Sequence, residues 1–96
     1  MTDHFNKLTP AQAERLAMLA EECGEVMQVI GKILRHGYDS YHPDTGEGNR
    51  ALLVKEMTDL MAVHAAMIAS GDTRYPTQEE AGAAWKKKLR YAHHQR

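Results

Sequence analysis

Residues 9–37 read TPAQAERLAMLAEECGEVMQVIGKILRHG, and this stretch decides the fold. Thr9 supplies a side-chain oxygen at an N-cap, Pro10 occupies N1 where no amide donor is needed, and Gln12 at N3 completes a capping box. Leu16, Leu19, Cys23, Val26, Ile30 and Ile33 then recur at steps of three and four, the spacing of one helical face, and Gly37 offers a left-handed stop. One helix is therefore expected over residues 10–36, with a bend near Gly24. Such a helix is roughly 40 Å long, whereas a globule of this chain length has a radius of gyration near 13 Å, so it would overhang a compact monomer.

Working outward, residues 37–48 contain glycines and Pro43 without periodicity and read as a long exposed loop. Asn49 is expected to cap a second helix running to about Ser70, in which Leu53, Met57, Leu60, His64, Met67 and Ile68 repeat at helical spacing before Gly71 ends it. The box Thr77-Gln78-Glu79-Glu80 after Pro76 starts a third helix, with Trp85 and Leu89 as apolar anchors and Lys86, Lys87, Lys88 and Arg90 as its basic turns. No alternating β-branched run or internal repeat competes, so the expected class is all-α, an antiparallel helical bundle formed by a single domain over residues 1–96.

Composition limits the function. The 96 residues carry 12 Lys plus Arg against 13 Asp plus Glu, which gives no general basic excess for a nucleic-acid polymer. One cysteine precludes an internal disulfide, and no leader opens the sequence, so a cytoplasmic location is expected. No apolar stretch approaches the roughly 18 residues of a membrane span. Leu, Ile, Val and Phe are sparse beside abundant Ala, which leaves a core close to the entropy it must offset and points to a homodimer or homotetramer.

The acids carry the chemistry. Glu21, Glu22 and Glu25 share one sector of the first helix, Glu25 about 40° and Glu22 about 100° from Glu21, beside the apolar seam. Glu56 and Asp59 stand three apart on the second helix, flanked by Leu52, Leu53, Leu60 and Val63. Like charges so placed weaken a helix, and acids turned toward a core must be protonated, paired with a base or bound to a cation. If the two helices pack with these faces opposed, five carboxylates converge. Oxygen ligands without His or Cys suit Mg²⁺, with Mn²⁺ as a substitute. The competing account is a solvated charged face. A di-iron site fails because no Glu has a His three residues later, and Asp44–Gly48 fails as a calcium loop because Lys55 stands where the bidentate Glu belongs.

The pattern Glu21-Glu22-Cys23-Gly24-Glu25-Val26 through Leu34-Arg35-His36-Gly37, then Asn49 and Lys55-Glu56-Met57-Thr58-Asp59-Leu60, resembles the MazG-like branch of the all-α nucleoside triphosphate pyrophosphohydrolases over about residues 12–68. The resemblance implies hydrolysis between the α- and β-phosphates of a nucleoside triphosphate, giving a monophosphate and pyrophosphate. It implies Glu22, Glu25, Glu56 and Asp59 as Mg²⁺ ligands, with Glu21 and Glu22 catalytic and Glu21 orienting or activating water from an outer position. The loop joining the motifs is longer than is usual in that family, and the fourth helix of many members is missing or very short. Independently, Lys32 on the same sector, Lys86, Lys87 and Arg90 are candidates to neutralise phosphates, and Asn49 at a helix start to meet a nucleotide. The alternative is a non-catalytic helical module that binds a nucleotide or a basic partner. Trp85 and Tyr38 read as core anchors before base-stacking groups, His64 as a hydrogen-bonded core residue, and Cys23 as a small buried hydrophobe.

Overall fold

The computed structural model describes residues 6–95. Three helices follow in order: α1 over Pro10–His36, α2 over Asn49–Ala69 and α3 over Gln78–Leu89. The all-α expectation holds, and no strand occurs among the described residues. The sequence-predicted cap of α1 is present in full: the Thr9 hydroxyl accepts from the Gln12 amide and the Gln12 side chain accepts from the Thr9 amide. Thr77 and Glu80 make the same box at α3. Gly37 and Gly71 take φ values of 88° and 81° after α1 and α2, conformations in which a Cβ would clash with the backbone.

Asn49 is the first residue of α2 and not its cap. Gly48 occupies the cap position without a side-chain bond, while the buried Asn49 amide donates to the Gly37 carbonyl at 3.0 Å. That tie closes the loop 37–48. Within the loop, Tyr41 bridges Gly48 in antiparallel fashion, His42 N donates to Glu47 O, Asn49 N to Ser40 O and Arg50 N to Tyr38 O. The expected aperiodic segment is thus ordered by its own backbone bonds. At the other end, Arg15 of α1 forms a two-pronged pair with Asp72 just beyond α2, 2.6 and 3.0 Å long. With tethers at both ends, the chain doubles back and α1 lies along α2.

The packed seam differs from the expected one. The buried apolar residues are Val26, Val29, Val63 and Met67. On α1 the inner stripe runs through Glu22, Val26 and Val29, turned about 60° from the mean direction of the predicted seam. Leu16, Cys23 and Ile30 of the expected seam stay exposed, and Met27 and Leu34, which that seam did not include, are exposed beside them in one narrow sector of the helix. Cys23 is therefore not the buried hydrophobe expected. Val54, Met57 and Met61 form a second exposed row on α2.

α3 packs against neither α1 nor α2, so Trp85, 54% exposed, anchors nothing within the chain. Arg74 fixes only the start of α3, through Glu80. Half-buried His64 meets the Tyr75 ring edge-on at 5.6 Å and has no side-chain hydrogen bond among the described residues. The radius of gyration is 17.4 Å, against about 12.5 Å for a compact chain of this length. The accessible surface of 8085 Å² exceeds by about 2,500 Å² that of an ordinary folded monomer of this mass.

Candidate metal centre

The inner stripe of α2 explains how acids come to face a core. Asn49, Glu56, Val63 and Met67 recur at steps of seven, seven and four, which places them in one line along the helix. Three of the four are buried, and Glu56, half-buried, lies between them. Glu22 has the same relation to Val26 and Val29 on α1. Packing these two valines against Val63 and Met67 therefore carries Glu22, Glu25, Glu56 and Asp59 into one place, with one oxygen of each within 4.8 Å of the others.

Such a group is poorly satisfied by the protein alone. Oε2 of Glu22 and Oε2 of Glu56 are shut off from solvent and accept no hydrogen bond, a condition that costs free energy unless a partner is supplied. Burial holds the Glu56 carboxyl above its ordinary range, reinforced by a hydrogen bond shared with Glu25 and by the charges of Glu25 and Asp59, with Lys55 opposing. Four carboxylates converging with two orphaned oxygens and no His or Cys form a donor set that fits a hard divalent ion. The four residues could therefore hold a divalent ion.

The remaining predicted site residues divide. Glu21 is exposed and stands outside the cluster, so four carboxylates and not five come together. Lys32 and Asn49 line a groove of about 340 Å³ between the end of α1, the loop and the start of α2. Lys86 and Arg90 lie on α3 or at its end, away from both helices that carry the acids, and the fold of one chain does not bring them to the site. Sequence reasoning missed Arg35, His36 and His42, which share the groove with Lys32. Arg35 and His36 could have been found as the basic last turn of α1, whereas His42 depends on how the loop folds. Arg50 does not line this groove; it lies over the Tyr38 ring, 4.5 Å from its centroid.

The fold and site define an all-helical protein with a buried-edge carboxylate cluster suited to a divalent cation. No protein-family model, curated protein or solved structure matches the chain. No helix among the described residues is long and apolar enough to cross a membrane.

Proposed function

We propose that this protein is a Mg²⁺-dependent nucleoside triphosphate pyrophosphohydrolase of MazG-like type. The observation that carries the reading is the convergence of Glu22, Glu25, Glu56 and Asp59 with two of their oxygens unpartnered. Those four side chains would hold the metal, whose bound state supplies an acidified water and charge neutralisation at the phosphates. Glu21, one residue before the cluster and open to solvent, would orient water or take its proton from an outer position. Lys32, two helical turns beyond Glu25 on the same side of α1, faces the phosphates.

The surplus surface and the bare rows on α1 and α2 support a homodimer or homotetramer, in which the helical pair becomes a bundle. Apolar stripes of this extent are unusual on a monomer. A partner chain would also give α3 something to pack on, and is the route by which Lys86 and Arg90 reach a site. The single thiol agrees with a reducing, cytoplasmic setting.

The test is incubation with each deoxynucleoside triphosphate and Mg²⁺ while monophosphate, pyrophosphate and inorganic phosphate are followed separately. Monophosphate and pyrophosphate in equal amounts are expected, and Glu22→Gln or Asp59→Asn should abolish turnover while the protein stays folded. Release of inorganic phosphate would contradict the cleavage position. Tight nucleotide binding without any product would favour the non-catalytic module instead.

A further inference from the structure

The groove at the loop end of the helical pair has a chemistry opposite to that of the carboxylate cluster. Lys32, Arg35, His36 and His42 line it, and no carboxylate does. Neither Lys32 nor Arg35 is paired with an acid among the described residues. Nδ1 of His42 accepts a hydrogen bond from the Asp44 amide, which in the neutral ring leaves the proton on Nε2 as a donor. The first turn of α2 reaches the same groove through Asn49, and its cap position carries no side-chain acceptor. The Asn49 and Arg50 amides of that turn already donate to the Ser40 and Tyr38 carbonyls, so the positive charge of the groove comes from its side chains.

Position relates the two sites. Lys32 follows Glu25, and Asn49 precedes Glu56, by seven residues each, so both lie about 10 Å along the same faces that carry the acids. The seam between α1 and α2 therefore runs from an anionic cluster to a cationic groove, and the flexible Lys32 and Arg35 side chains reach across part of the interval.

We infer that this groove is a polyphosphate subsite: it receives the β- and γ-phosphates of a metal-bound triphosphate, and then the pyrophosphate product, so that the nucleoside end lies away from the loop 37–48. The orientation rests on the pyrophosphohydrolase reading, whereas affinity for a polyphosphate anion does not. Phosphate oxygens not engaged by the metal need donors, and guanidinium, ammonium and imidazole N–H groups meet that need.

The experiment is calorimetric titration of the full chain with inorganic pyrophosphate at low salt in EDTA, so that the carboxylate cluster contributes no metal. Lys32→Met and Arg35→Met should each weaken binding about tenfold, the effect of losing one charge-assisted hydrogen bond, whereas Glu22→Gln should leave it undiminished. Both positions are exposed, so folding is checked by circular dichroism alone. Pyrophosphate affinity equal to wild type in both variants overturns the subsite, as does a loss confined to nucleoside monophosphate binding. Nucleotide turnover is measured on the same proteins. Hydrolysis with unchanged pyrophosphate affinity in the variants removes the subsite and leaves the reaction standing. Absence of hydrolysis, with pyrophosphate binding that depends on Lys32 and Arg35, removes the reaction and supports the subsite.

Discussion

Glu56 gains a proton more readily in the folded chain than in the unfolded one, because burial and the neighbouring Glu25 and Asp59 penalise its charge. A carboxyl with a raised folded pKa favours the folded state at low pH and withdraws that favour as pH rises from the unfolded value, near 4.5, through the folded one. The metal-free protein is therefore expected to lose thermal stability across that interval, and Glu56→Gln to flatten the loss. Mg²⁺ should raise the melting temperature above the interval and have little effect below it, where protons occupy the carboxylates. Thermal melts over a pH series, with EDTA and with Mg²⁺, check this; a metal effect equal at all pH values would contradict it. At this scale the sequence was informative, since the spacing of Glu22 with Glu25 and of Glu56 with Asp59 already placed four acids on two faces. It could not show that Glu21 would remain outside or that His42 would join the groove. Those outcomes depend on the rotation of α1 against α2 and on the backbone bonds of the loop.

Among the elements, α3 depends most on its own ends. It has no tertiary partner within the chain, so its stability rests on the Thr77–Glu80 box, the acids of its first turn, the lysines of its last turn and the Arg74 pair. Arg74 and the Thr77 amide hold the Glu80 carboxyl down to about 2. A depressed carboxyl contributes stability above its unfolded pKa and loses it as pH falls through the folded value, so the start of α3 should fray only in strong acid. Thr77→Ala should cost this helix about 1 kcal/mol and show as faster amide exchange in residues 78–89 with α1 and α2 unaffected. Equal slowing or acceleration in all three helices would mean that α3 is not an independent unit. Helix ends were readable because caps are local: Thr9, Gly37 and Thr77 needed no tertiary information. The error at Asn49 has a physical origin, for the Gly37 carbonyl competes for its side chain, and that partner lies 12 residues away.

The whole molecule is too open for its mass. Leu34 is 82% exposed and Met27 70%, and both belong to the bare α1 sector. A charge placed in that sector would be buried by association and unpaired there. Met27→Glu or Leu34→Glu is therefore expected to shift sedimentation from an oligomer toward a monomer and to leave the α1–α2 pair folded. An unchanged oligomer in both variants would place the interface elsewhere. The sequence anticipated the shortage of core, from its few large aliphatic residues and its long first helix. It misplaced the seam because apolar residues circle much of α1, and periodicity alone does not separate the side that meets α2 from the side left bare.

That the carboxylates of two helices are held together by a divalent ion is tested most directly by Mn²⁺ titration followed by electron paramagnetic resonance. The free-ion signal should be suppressed at stoichiometric metal in the wild-type protein and restored by competing Mg²⁺. It should persist from the first addition in Glu56→Gln and in Glu22→Gln. An unsuppressed Mn²⁺ signal in the folded wild-type protein would contradict the account.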